Sequence, residues 1–192
     1  MSKNGMYRKP CSGGGICRYD GKNYLIYTVK DGLCSDDVNC IAEDADGAVW
    51  FGTATGISRF VNGGFVGFPE EPGLMKSSVF AIVADAEKNL WLGTSTGAYK
   101  YSGGKFTKYD EKQGLTKPFV RCILPDKSGK LWYGTVNGKI FSFENGKFSE
   151  AHLITIVKSD FISAERLDVS ENASETDRIS ENLIWSMYQD SK

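Results

Sequence analysis

Three tryptophans, Trp50, Trp91 and Trp132, stand 41 residues apart, and most of what surrounds them recurs at the same interval. A chain patterned in this way is an array of one small structural unit, and each copy buries its apolar face only by stacking on its neighbours. The copies agree position by position: Val38, Val79 and Val120, then Ile41, Ile82 and Ile123, then Asp44, Asp85 and Asp126. After these come Trp50-Phe51-Gly52-Thr53, Trp91-Leu92-Gly93-Thr94 and Trp132-Tyr133-Gly134-Thr135, followed by Gly56, Gly97 and Gly138. Gly15-Ile16-Cys17-Arg18-Tyr19 lies in register with Gly56-Ile57-Ser58-Arg59-Phe60, so part of a further copy precedes the first whole one. The pairs Gly32-Leu33, Gly73-Leu74 and Gly114-Leu115 mark where each unit restarts.

Aromatic and β-branched runs alternate with turn residues, and no stretch up to about residue 157 carries a helical period, so each unit reads as four short strands. The first strand is Val-x-x-Ile-x-x-Asp and the second carries Trp-x-Gly-Thr. Between them lies a turn such as Asp44-Ala45-Asp46-Gly47, where Asp can bond its own backbone and Gly accepts a positive φ. The third strand starts at the following glycine, and the fourth is of the Phe65 to Phe68 type. Four strands in about 40 residues is the arithmetic of a propeller blade. The expected fold class is therefore all-β, a β-propeller with about three complete four-stranded blades and partial blades at both ends. Along the chain this predicts an irregular segment over 1–14, blades over 15–157 with units restarting near 33, 74 and 115, a polar insert over 158–182, and the first strand of a further blade over 183–192.

The string Gly-Leu-x(4)-Val-x-x-Ile-x-x-Asp-x-x-Gly-x-x-Trp-x-Gly-Thr-x-x-Gly resembles the two-component regulator propeller repeat, over residues 15 to about 150 and again at 183–192. Two departures stand out: Lys88-Asn89 where the other turns have Gly, and one residue inserted after Gly138. The resemblance implies a non-catalytic sensing or interaction propeller of a bacterial two-component signalling protein. It further implies a periplasmic or extracellular location and a response to an oligosaccharide or other small ligand, with the downstream signalling domain outside this chain.

At the C-terminal end, Ile184 aligns with Val79, Met187 with Ile82 and Asp190 with Asp85, so 183–190 repeats a first strand. Counting back 41 from Trp50 reaches Lys9, and Met6 to Pro10 does not look like a second strand. This inventory favours a fragment of a larger propeller, with open blade edges able to self-associate. In the competing arrangement, 183–190 pairs with the strands at 15–28 and closes a four-bladed ring, an arrangement that Pro10 opposes because it has no N–H to give a ladder. The segment Ser159 to Asn182 is rich in Ser, Glu, Asp and Asn, and reads as an expanded loop between blades.

A net charge of −1 gives no bias toward nucleic acid or anionic membranes, no run is long enough to span a membrane, and the N-terminus lacks the apolar core of a secretory signal. The five cysteines include no Cys-x-x-Cys pair. Cys40 and Cys122 take the place of Ala81, as small core side chains would, while Cys11 and Cys17 flank a glycine run. The single histidine, His152, argues against a histidine-dependent triad or a multi-histidine metal site, and no cofactor motif is present. The alternatives are a propeller lyase similar to the streptogramin-inactivating enzymes and a purely structural interaction scaffold. In a propeller the loops between fourth and first strands, and between second and third strands, gather on one face. Residues there that break the repeat, Asp36, Asp37, Lys76, Lys117 and Asn137, are the candidate ligand-binding residues. Trp50, Trp91, Trp132, Gly52, Gly93 and Gly134 are assigned to packing, because every blade carries them.

Overall fold

A computed structural model of the protein describes residues 6–7, 14–19, 22–116 and 118–151. The first three strands, β1 (Met6–Tyr7), β2 (Ile16–Tyr19) and β3 (Tyr24–Tyr27), form a three-stranded sheet in the order β1-β2-β3. Three four-stranded antiparallel sheets follow. They are β4 to β7 (Val38–Glu43, Val49–Thr53, Gly56–Val61, Gly64–Val66), β8 to β11 (Val79–Ala84, Leu90–Thr94, Gly97–Ser102, Lys105–Tyr109) and β12 to β15 (Val120–Pro125, Leu131–Thr135, Ile140–Glu144, Lys147–Ala151). Within each sheet the strands pair in sequence order, which is the meander of a propeller blade.

In each of the three complete blades the second strand is buried along its whole length, on both of its faces. One face carries the tryptophan toward the following blade: Trp50 packs on Tyr101 and Phe106, with ring centroids 4.8 and 6.3 Å apart, and Trp91 packs on Phe143 at 4.8 Å. The glycine two residues on sets how closely blades approach. A methyl group placed on Gly52 would lie 2.7 Å from the Val79 side chain, and one on Gly93 would lie 2.8 Å from Val120. The repeated Thr closes the turn that follows, donating through Oγ1 to the backbone oxygen of Gly56 at 3.0 Å, of Gly97 at 2.8 Å and of Lys139 at 3.0 Å. The third acceptor is one residue further along because of the insertion after Gly138, and the ladder resumes with Gly134 opposite Ile140.

The repeated Asp is a three-way clamp rather than a simple turn former. Asp44 accepts from the backbone of Asp46 and Ala48 through Oδ1, and Oδ2 accepts from Trp50 Nε1 at 2.7 Å. The equivalent indole bonds are 2.8 Å for Trp91 to Asp85 and 3.0 Å for Trp132 to Asp126. In the second blade Lys88 takes the left-handed conformation (φ 68°) that Gly47 and Gly129 adopt in the others. Asn89 offsets that strain by donating its side-chain amide to both Asp85 oxygens, at 3.0 and 2.8 Å.

Two expectations from the sequence need correction. Met6 to Pro10 did not resemble a second strand, yet Met6–Tyr7 pairs antiparallel with β2, placing Met6 opposite Arg18 as Trp50 is opposite Arg59. The strand had gone unrecognised because it is three residues out of step with the 41-residue interval. The unit junctions also contain single helical turns, α1 (Pro72–Met75) and 3₁₀ turns at Val29–Asp31 and Glu111–Gln113, too short to show a period. Both 3₁₀ turns end in a left-handed glycine, Gly32 or Gly114, followed by a buried leucine, and this explains the Gly-Leu signature there. Residues 158–182 and 183–192 lie outside the described residues, as do Cys11, Lys117 and His152.

Candidate ligand-binding face

Among the described residues the first strand of each complete blade, β4, β8 or β12, has a hydrogen-bonded neighbour on one side only. These same strands meet from blade to blade, β4 against β8 and β8 against β12, so they form the axial edge. Each is bulged at its second residue. Val38 is opposite Thr53 but Cys40 is opposite Gly52, so the register steps over Asn39, and it steps over Phe80 and Arg121 in the same way. A bulge re-aims one side chain and increases the local twist. Three successive blades thus treat Asn39, Phe80 and Arg121 alike, although these residues share no chemistry.

The last two of these meet across a blade joint. Phe80 stacks on Phe119 with centroids 5.0 Å apart and planes 17° from parallel, and the Arg121 guanidinium lies 4.6 Å from the Phe80 ring centre. All three are half-buried. Positions equivalent to Phe119 hold Ser78 and Asp37 in the other blades, so the axial edge passes from acidic and polar (Asp37, Asn39) through Ser78 and Phe80 to aromatic and cationic (Phe119, Arg121).

Backbone bonds hold the surrounding loops together. Gly56 donates to the Ser77 carbonyl at 2.8 Å, Ser95 to the Ser78 carbonyl at 3.0 Å, and Val136 to the Phe119 carbonyl at 3.2 Å. Ser78 Oγ donates to the Ala54 carbonyl at 2.7 Å, and Ser77 and Thr96 share a hydroxyl contact of 2.6 Å. Such loops present side chains without large rearrangement, which lowers the ordering cost of binding.

The residues singled out from sequence divide three ways. Asp36 is engaged in the fold: its Oδ1 accepts from Val29 N at 2.8 Å and its carbonyl accepts from Gly15 N at 2.6 Å. Asp37, Lys76 and Asn137 are exposed in the stitched loops of this face, while Lys117 is outside the described residues. Phe80, Phe119 and Arg121 were missed. The available signal was the residue after each repeated Val, which differs in every copy, but a bulge cannot be read from one chain.

Electrostatics separates the face from the blade interior. Burial works against the Asp44, Asp85 and Asp126 carboxylates, yet the indole, side-chain and backbone hydrogen bonds outweigh it and hold all three below the usual carboxylate range. Arg59 adds a 3.1 Å ion pair to Asp44, and Lys100 stands 3.9 Å from Asp85. Burial pushes the Cys122 thiol up to about 12, so it stays protonated as a core side chain. Cys40 is half-buried, with Sγ directed at the Val79 carbonyl. Among the described residues no group of three His, Cys, Asp or Glu is placed to hold a metal ion.

Four-stranded meanders meeting at bulged inner strands define a β-propeller. Three stretches, 32–55, 73–96 and 114–137, match the two component regulator propeller family. No curated protein matches this chain. Among solved structures it is similar to the extracellular domain assigned to a hybrid two component system of B. thetaiotaomicron, at 26% identity and TM-score 0.62, covering 74% of this chain and 20% of that one. A second such extracellular domain from the same organism is similar in fold at 20% identity and TM-score 0.66, covering 93% of this chain and 23% of that one. This chain therefore spans less than a quarter of the length of either. Virginiamycin B lyase from Staphylococcus aureus, in an inactive form with quinupristin, shares the fold at 19% identity and TM-score 0.56, covering 82% of this chain and 52% of the lyase.

Proposed function

We propose that this chain is a non-catalytic sensing region of an extracytoplasmic two component regulator, and that its axial edge contacts a small ligand such as an oligosaccharide. The three regulator repeats support the signalling class, and the likeness to extracellular domains supports the location. The observation that carries the binding role is the bulged row Asn39, Phe80 and Arg121, together with Phe119, where the fold fixes position and leaves side-chain chemistry open. Phe119 and Phe80 offer flat apolar surface. Arg121 supplies planar donors already partly oriented against a ring, an arrangement suited to a polar ring-shaped ligand. Exposed Asp37, Lys76 and Asn137 flank this row as secondary contacts, and Lys117 is a further candidate in the same connection. A ligand held by several blades would favour one relation between the propeller and a downstream signalling domain.

The experiment is a thermal-shift and calorimetric screen of the 192-residue chain against neutral and acidic oligosaccharides, repeated with Arg121→Ala. A binder that raises Tm and weakens about tenfold in the variant supports the assignment. A binder unaffected by Arg121→Ala places recognition elsewhere. The lyase alternative is left with likeness of fold alone.

A further inference from the structure

Each sheet ends at the rim in the last strand of its meander, and among the described residues β3, β7, β11 and β15 are paired on one side only. An edge strand offers unpaired backbone groups to any extended chain, and soluble sheets blunt it with short length, glycine or proline, or charge. Three of these four edges are blunted in that way. β7 is three residues long, starts at Gly64 and is followed by Gly67 and Pro69. β11 exposes Lys105 and Lys108, and β15 exposes Lys147 and Glu150.

β3 has none of these devices. It lies in the run Asn23-Tyr24-Leu25-Ile26-Tyr27-Thr28-Val29, which holds no charge, glycine or proline and is rich in aromatic and β-branched residues. That is the composition of a strand that pairs readily with copies of itself. Tyr24, Leu25, Ile26 and Val29 are 66, 49, 56 and 49% exposed, and among the described residues only Val66 joins them as an exposed large apolar side chain. The repeat does not require this. Leu25 stands where the other sheets have Val66, Thr107 and Ser149, Ile26 where they have Gly67, Lys108 and Glu150, and Val29 where they have Glu70 and Glu111. The Tyr24 ring is already placed, stacked on Tyr19 with centroids 4.6 Å apart, which lowers the ordering cost of a contact there.

We propose that β3 is a self-association edge, at which two copies of this chain pair their β3 strands antiparallel about a two-fold axis. Successive residues of a strand turn their hydrogen-bonding groups to opposite sides, so the axis passes through a residue and not between two. Centred on Leu25, it sets Tyr24 of one copy opposite Ile26 of the other, an aromatic and β-branched pair, with Leu25 opposite itself. Centred on Ile26, it would set Lys22 opposite Lys30, and the like charges disfavour that register. A second copy is the fitting occupant because an uncharged edge meets no repulsion from itself, and a two-fold contact covers both edges in one closed interface. The contact lies at the rim, so Phe80, Phe119 and Arg121 on the axial edge stay accessible in both copies.

The test is sedimentation equilibrium of the 192-residue chain from about 10 µM to about 1 mM, a range suited to a small interface. The unaltered protein is compared with Ile26→Lys and Leu25→Thr, which install the residues that β11 carries at the same positions. Pairing predicts a mass rising to that of two copies, association at least about tenfold weaker in each variant, and a Tm close to the parent's because both side chains are exposed. If a variant does not fold, amide hydrogen exchange of the unaltered protein decides: β3 must gain protection as concentration rises, with β8 to β11 unchanged. A one-copy mass throughout overturns the proposal. A two-copy mass that both variants keep overturns it in favour of another surface, and a mass that grows beyond two copies overturns the closed two-fold pair in favour of open-ended stacking.

Discussion

The tryptophan joints and the axial edge are made by adjacent strands of the same blades, yet they follow opposite rules. At the joints each blade repeats its residues: an indole held by a clamp Asp, a glycine with no room for a methyl group, and an aromatic acceptor on the next sheet. At the edge the backbone repeats, with a bulge at the same place in three blades, while Asn39, Phe80 and Arg121 differ. Packing constrains side chains where two sheets must interlock. It constrains only the backbone where the edge faces the axis, and that freedom is what a binding face requires.

The sharpest way to break the contrast is at a joint. Trp91→Ala should cost about 3–5 kcal/mol, measured by denaturant unfolding, because it empties a buried site and strips the Asp85 carboxylate of its indole donor. A loss below about 1 kcal/mol would mean that the joints do not hold the blades together.

How much of this was legible in the sequence follows from the same contrast. Joint residues announce themselves by recurrence, so the blades, their order and the roles of Trp50, Gly52 and their equivalents could be read without coordinates. Asp44, Asp85 and Asp126 were visible as turn formers, but their indole bonds were not, since a six-residue separation says nothing about which way a carboxylate points. The Phe80, Phe119 and Arg121 cluster joins residues from two blades across a bulge, and neither feature has a signature in one chain. Asp36 stood out for breaking the repeat, yet the structure uses it to hold Val29 and Gly15.

Next in size is the acid limb of stability. The clamp carboxylates have folded-state values below their unfolded ones, so their contribution is complete above an ordinary Asp pKa of about 3.9 and is lost as pH falls through the lower folded values. Thermal unfolding followed from pH 6 down to about 2 should show Tm falling mainly below about pH 4, and Asp85→Asn should flatten that fall. Gly93→Ala should cost about 1–3 kcal/mol, because the added methyl meets Val120 across the joint, and urea melts would register it.

Smaller and opposite in sign is Lys88→Gly. Releasing a left-handed lysine at a turn where the other blades have glycine should stabilise by up to about 1 kcal/mol, seen as a higher urea midpoint with unchanged slope. A loss there would show that Asn89 and its two bonds to Asp85 already offset the strain in full.

The central claim, that joints make the fold and the axial edge makes the contacts, is tested most directly by one paired measurement on Arg121→Ala. Its Tm and its affinity for an oligosaccharide that binds the unaltered chain would be determined side by side. The account predicts a Tm within a few degrees of the parent, since a half-buried cation over a ring contributes about 0.5–1 kcal/mol, and an affinity lower by about tenfold or more. Full affinity, or a collapse in Tm like that expected of Trp91→Ala, would contradict it.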